Sequence, residues 1–355
     1  MDLRVKVGQL FFVGFDGTAD GPSLRDYLGA VRPGGLIHFA RNIETAEQVR
    51  ALNDKLGRVL AAQSGPAPFI SVDQEGGRVS RLRKILPPLP SAAQLGAMGE
   101  AKIRDYARIL GAALGALGFN ADFAPVVDLS SPGAVNGIGD RSFGEDAALV
   151  VRCARAFIAG LADAGIASWV KHFPGLGATD LDSHIGLPVC AREPAEMWER
   201  DLLPFRECAP DAAGIMIAHV HCPQFDPGAP IAASLSRAVL SGLLRARMGY
   251  DGVAVTDDLD MGAVAGPPPA ELALATLRAG ADMVMFCNSE EKARAAYAGV
   301  YEEVRSGRLE GAAIDRSVER ILAAKQRFGI EGQDVTGSDA VWNSALSALQ
   351  DWAVT

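Results

Sequence analysis

The feature that most constrains this chain is an alternation of short apolar runs with longer amphipathic ones. Candidate strands are Phe11–Phe15, Leu36–Phe39, Phe69–Val72, Asn120–Val127, Ala167–Val170, Gly214–His219, Val253–Thr256 and Met283–Cys287. Apolar residues at helical spacing fall between them, in Ala46–Ala62, Ala92–Leu117, Ala147–Ala164, Pro194–Cys208, Arg237–Arg247, Ala270–Ala279, Glu291–Ser306 and Ile314–Phe328. Strand-then-helix order requires a parallel sheet with helical crossovers, and near-continuous apolar strands fit burial on both faces. Eight such units predict an α/β fold, a single TIM-barrel-like (β/α)8 domain over residues 1–330. Residues 331–355 read as a C-terminal appendage, with helical character from Asp339 to Ala353 after Gly332 and Gly337. The rival is an open doubly wound sheet. No GxGxxG follows the first strand, so dinucleotide binding has little support, and Gly111–Gly118 reads as close helix packing.

Composition narrows the partners. A formal net charge of -9 argues against nucleic acid, whose phosphates need a basic face. The five cysteines are widely spaced with no CxxC, which suits free thiols in a reducing compartment. Leu10–Phe15 follows Arg4 and Lys6 like a weak signal peptide, but it is short, ends at Asp16 and reads as the first strand. No run approaches the roughly 20 apolar residues of a membrane span. The expectation is a cytoplasmic protein without membrane or nucleic-acid partners.

In a barrel, chemistry collects at the C-terminal ends of the strands. Asp73, Gln74, Glu75, Arg78 and Arg81 follow the third strand. Asp128 and then Gly139–Phe143 follow the fourth, His219 and His221 the sixth, and Asp257, Asp258 and Asp260 the seventh. The fifth leads into Lys171-His172-Phe173-Pro174-Gly175-Leu176-Gly177, then Asp180, Asp182, Ser183 and His184, a density of titratable groups unusual for a structural turn. Its glycines predict a loop from Gly175 to Ser183 that moves and closes over a ligand. Bland roles stand beside these: Asp73 as a turn cap, Arg78 and Arg81 as surface cations, one of the three late aspartates as a helix cap, and Trp169 as core. His219 and His221 alternate by two and are expected on one strand face, one of them as a hydrogen-bonded barrel histidine.

Arginines, a lysine and a few carboxylates, without a phosphate loop or cofactor motif, suggest hydrolysis of a polar substrate such as a sugar. Glycoside cleavage needs a nucleophile and an acid/base. Asp257 can serve as the first. His184 can serve as the second, oriented by Asp182, because imidazole transfers protons near neutral pH. No cofactor or metal is expected.

The run Lys171-His172-Phe173-Pro174-Gly175-x-Gly with Asp182-Ser183-His184 resembles the signature of family 3 glycoside hydrolases, β-N-acetylglucosaminidase branch. Val72–Arg81, Gly139–Gly144 and Thr256–Leu259 match further motifs in the family's order. The resemblance implies a catalytic barrel and a retaining exo-β-N-acetylglucosaminidase acting on peptidoglycan-derived muropeptides in cell-wall recycling. It implies Asp257 as nucleophile, His184 as acid/base with Asp182, and Asp73, Arg81, Arg141, Lys171 and His172 as holders of the sugar. Leu176 departs from it, standing where the family usually has histidine. Other readings stay open: a broader β-glucosidase or glycoside phosphorylase, a metal-dependent hydrolase using His219, His221, Cys222 and Asp257, or a non-catalytic glycan-binding barrel.

Overall fold

The computed structural model describes residues 1–62, 65–131, 133, 135–330 and 338–354. Eight parallel strands form its centre: β1 (Phe11–Val13), β2 (Gly35–His38), β3 (Phe69–Val72), β6 (Ala121–Asp122), β7 (Ala167–Phe173), β8 (Gly214–Ile217), β9 (Val253–Asp258) and β10 (Met283–Phe286). They close into a barrel in that order, with β10 returning to β1 in the register Phe11↔Val284. Closure excludes the open sheet. A two-stranded hairpin, β4 (Gln74–Gly76) with β5 (Val79–Ser80), follows β3.

All eight anticipated strands are present, and two differ by more than two residues in length. The run Asn120–Val127 keeps only Ala121–Asp122 as strand, because Pro125 brings no N–H to the ladder. Pairing resumes at the isolated bridge Val126↔Lys171. Conversely, β7 continues to Phe173, so Lys171 and His172 sit on a strand and not in the expected loop. Its carbonyls are taken up by neighbours on both sides, Lys171 O by Val127 N at 2.8 Å and Phe173 O by Ala218 N at 2.7 Å.

Around the barrel run α3 (Ala46–Ala61), α5 (Glu100–Ala116), α6 (Ala147–Asp163), α9 (Pro269–Ala279), α10 (Glu290–Arg305) and α11 (Gly311–Arg327), with Ala238–Arg247 wound as a π-helix. The pattern Ala92–Leu117 breaks into α4 (Ala92–Gly96) and α5 at Gly99, whose φ of 89° no ordinary residue tolerates well. Pro194–Cys208 breaks into α7 (Pro194–Glu199) and α8 (Leu203–Cys208), each with proline near its start. Two helices were not anticipated: α1 (Leu3–Gln9), capped by Asp2, and α2 (Pro22–Val31). The C-terminal helix α12 (Asp339–Gln350) packs on α5, with Trp352 edge-on to Tyr106 at 5.2 Å. The start of the expected appendage, including Gly332 and Gly337, lies outside the described residues.

The barrel interior is filled from below by aromatics. Phe12, Phe69, Phe123 and Trp169 pack at centroid distances of 5.2–5.8 Å. Trp169 is therefore core, as its bland reading held. Gly35 and Gly214 make room for it: a Cβ on Gly35 would lie 2.1 Å from the Phe12 ring, and one on Gly214 would lie 2.2 Å from Trp169. This plug closes the barrel interior below and leaves its upper end open. No described helix is long and apolar enough to cross a membrane.

Candidate active site

Strand periodicity carries the polar groups into that opening. Along β9, Val253 and Val255 pack in the barrel interior, and two residues on, Asp257 takes the same face above them. Along β3 and into β4, Phe69, Ser71, Asp73 and Glu75 repeat at the same period. In β7, Ala167 and Trp169 face inward and Lys171 follows. An irregularity between Val170 and Phe173 then changes the alternation. Phe173 turns outward against Phe205, and both Lys171 and His172 reach the opening.

The result is a cavity of about 440 Å³ lined by Asp73, Arg81, Arg141, Lys171, His172, Asp182, His184 and Asp257. All eight residues singled out from the sequence thus meet in one place. A larger hollow, about 660 Å³, lies at the opposite end of the barrel beside Tyr250 and α11. Two of its arginines are already engaged: Arg320 pairs with Asp251 and Asp282, and Arg327 donates to the carbonyls of Pro210, Asp211 and Ala212. Histidines and a lysine join carboxylates in the upper cavity, and neither residue type lines the larger hollow, so the smaller space is the candidate site.

A buried ionic network forms its floor. Lys171 Nζ lies 2.6 Å from Asp73 and 2.7 Å from Glu75, and Arg141 grips Glu75 through two 2.8 Å bonds. Arg81 completes it at 3.8 Å from Asp73. Burial alone favours neutral forms, yet Lys171 and Arg141 hold the Glu75 carboxyl well below the usual range. Burial likewise opposes the Lys171 charge, and Asp73 and Glu75 outweigh it and raise its pKa. Five charges placed this way hold one another in position.

Asp257 is half-buried, and its Oδ1 accepts the amide of Asp258 at 2.8 Å. Burial opposes ionisation, but His172, His219, that amide and Lys171 hold its carboxyl below the usual range. It is therefore an anion aimed into a cavity rich in cations. The expected helix cap among the late aspartates is absent: Asp258 accepts the amides of Asp260 and Cys287, and Asp260 accepts that of Asn288. Asp258 and Asp260 thereby brace the β9–β10 rim, and Asp257 faces the cavity. Burial pushes the Asp258 carboxyl up to about 7, with the Asp260 amide pulling the other way.

On the opposite rim, Asp182 Oδ1 accepts the backbone N–H of His184 at 2.9 Å and meets its Nδ1 at 2.7 Å. Burial opposes the Asp182 charge, and the His184 amide and ring lower its pKa. The imidazole is 71% exposed. Two glycines seat this turn: a Cβ on Gly137 would lie 2.9 Å from the Asp182 carboxylate, and one on Gly262 would lie 2.8 Å from the His184 carbonyl.

Three contributors went unnominated. Glu75 was two residues from Asp73, a period-two signal. Asp128, buried, accepts the N–H of His172 at 3.0 Å, pairs with its Nδ1 at 2.7 Å, and accepts Leu176 N at 2.7 Å. Asn136 donates to the carbonyls of Leu176, Gly177 and Thr179, a role no local pattern announces. Arg78 pairs with Asp140 outside the cavity, in keeping with a surface cation. His219 and His221 lie beyond β8, not on it, and diverge. The first contacts Ser234 Oγ and Asp258 O, and the second contacts Ile231 O. The four-residue metal set does not assemble, and among the described residues no group of three or more His, Cys, Asp or Glu side chains does.

Comparison with known proteins places this geometry. The family model "Glycosyl hydrolase family 3 N terminal domain" matches residues 2–324. A β-hexosaminidase of Thioalkalivibrio sulfidiphilus (strain HL-EbGR7) is 37% identical over 348 residues, 95% of both chains. One of Alkalilimnicola ehrlichii (strain ATCC BAA-1101 / DSM 17681 / MLHE-1) is 39% identical over 289 residues, 79% of this chain and 80% of the relative. Among solved structures, a family 3 β-N-acetylglucosaminidase from Paenibacillus sp. str. FPU-7 superposes with a TM-score of 0.90 at 37% identity, covering 99% of this chain and 69% of that one.

Proposed function

The chain belongs to glycoside hydrolase family 3, and on that premise we propose that it is an exo-acting β-N-acetylglucosaminidase that retains anomeric configuration. Residues 1–330 are the catalytic unit in this reading, with the remainder appended. The observation that carries it is the meeting of an ionised Asp257, a His184–Asp182 pair and a fixed ionic floor around one cavity. Asp257 attacks the anomeric carbon and forms a glycosyl-enzyme intermediate. His184 gives its proton to the departing oxygen and later takes one from water, while Asp182 holds its Nδ1 and supports the imidazolium. Asp73, Arg81, Arg141, Lys171 and His172 engage the hydroxyls and acetamido group. The aromatic plug below the cavity supports exo action, because a terminal sugar is what a blind opening admits.

The substrate we propose is an N-acetylglucosaminyl muropeptide or chitooligosaccharide, in the cytoplasm. The names of the matched relatives support the sugar, and five unpaired buried cysteines support a reducing compartment. The test compares release of p-nitrophenol from the β-N-acetylglucosaminide and the β-glucoside, with and without phosphate, while proton NMR follows the first anomer formed. Preference for the acetamido sugar with a β product supports the proposal. Preference for glucoside overturns the substrate, an α product overturns retention, and acceleration by phosphate overturns water as acceptor.

A further inference from the structure

His172 is held from both sides. Its Nδ1 lies 2.7 Å from Asp128 Oδ2, and its Nε2 lies 3.3 Å from Arg141 Nη2. A guanidinium only donates, so the nitrogen facing Arg141 is an acceptor. Asp128 is an acceptor on its own side, because Oδ2 takes the His172 N–H at 3.0 Å and Oδ1 takes the Leu176 N–H at 2.7 Å. The ring proton therefore sits on Nδ1, and Nε2 carries a lone pair. Arg141 cannot swing away, since its other bonds fork onto buried Glu75.

We propose that Asp128 is a positioning residue that locks His172 as the neutral Nδ1–H tautomer, so that the Nε2 lone pair, shared with Arg141 at 3.3 Å, accepts a hydrogen bond from a sugar hydroxyl. Of the five groups assigned to hold the sugar, Lys171, Arg81 and Arg141 then only donate, and Asp73 and Nε2 only accept. His172 supplies an uncharged acceptor between cations, and Asp128, which does not line the cavity, acts through it. The same carboxylate ties the end of β7 to the start of the Asp182–His184 loop through Leu176. The hydroxyl contact rests on the glycosidase reading, whereas the tautomer does not.

Long-range proton–nitrogen NMR of the imidazoles tests the tautomer directly, with His172→Gln assigning the signal. A protonated Nδ1 and bare Nε2 at the pH of activity is the expected result. A protonated Nε2, alone or as imidazolium, overturns the proposal whatever the enzyme's substrate. A double-mutant cycle tests the coupling. Asp128→Asn is expected to lower kcat/KM roughly 10- to 100-fold, as loss of an orienting partner typically does. In the His172→Gln background the same change is expected to stay within about twofold. Equal losses in both backgrounds overturn it, because a merely structural Asp128 acts without His172. If the glycosidase reading fails, neither activity is seen, and the NMR result still decides the tautomer.

Discussion

The two rims of the cavity are built on opposite terms. On one, Asp257, Asp73, Lys171 and His172 stand on or directly after barrel strands, and the Lys171 side chain is 2% exposed. On the other, Asp182 and His184 stand on a turn, and the His184 ring is 71% exposed. Groups that must fit a sugar are held by the sheet and by one another. The group that must meet a changing leaving group and then water sits where it can adjust. In the proposed reading, binding geometry is prepaid in folding, whereas proton transfer falls to an exposed side chain.

The largest effect lies on the rigid side. Asp257→Asn keeps the shape and removes the anion, so turnover should fall by roughly 10⁴-fold or more, the scale seen when a catalytic nucleophile is lost. The thermal midpoint should move little, because the burial cost removed with the charge offsets most of the lost attraction to His172, His219 and Lys171. Retained turnover would mean that Asp257 is only another holder of the sugar.

Next comes the floor. Lys171→Met leaves Asp73 and Glu75 facing each other, and breaking a buried pair costs about 3–5 kcal/mol of stability. Denaturant unfolding reads it, and a loss under about 1 kcal/mol would show that the floor is not rigidly interdependent. Acid gives a second reading. Glu75 titrates below its ordinary 4.5 in the folded state. Its contribution is therefore present above that pH and is lost as pH falls below it towards the folded value. Glu75→Gln should flatten that acid limb of the stability curve.

On the adjustable side, His184→Ala should slow cleavage of poor leaving groups by about 10²- to 10⁴-fold, and of activated aryl glycosides far less, with little change in stability. Equal losses on both would place His184 in binding and erase the functional contrast between the rims.

These rims were unequally legible in the sequence. Strand periodicity and the Gly/Pro break after β7 exposed the eight units and every residue nominated for the cavity. Each of those residues stands at or beyond the C-terminal end of a strand, where a parallel barrel displays side chains. Whatever depended on chain closure stayed hidden. Asn136 carries no pattern, and its three bonds exist only because the segment after β6 folds against the one after β7. Lys171 and His172 read as loop because Pro174 follows them, yet β6 and β8 extend the ladder through both. One of the late aspartates was expected as a helix cap, but the β9–β10 rim claimed Asp258 and Asp260, and the cavity took Asp257.

The smallest effect tests where rigidity passes into mobility. Leu176 is buried, but its placement is set by main-chain atoms: its N–H goes to Asp128 and its carbonyl takes Asn136 and Thr179. Gly177 seals the same point, since a Cβ there would lie 2.0 Å from the Leu129 carbonyl. The loop expected to move from Gly175 is therefore tied by main-chain bonds through Thr179. If main-chain ties govern, Leu176→His should change kcat/KM by less than about tenfold, near the 1.4 kcal/mol of one decade. Asn136→Ala, which strips three carbonyls of their donor, should cost more, at about 1–3 kcal/mol per buried group left unsatisfied. The reverse order would place loop control in the side chain at 176 and move the border between the rims back to Pro174.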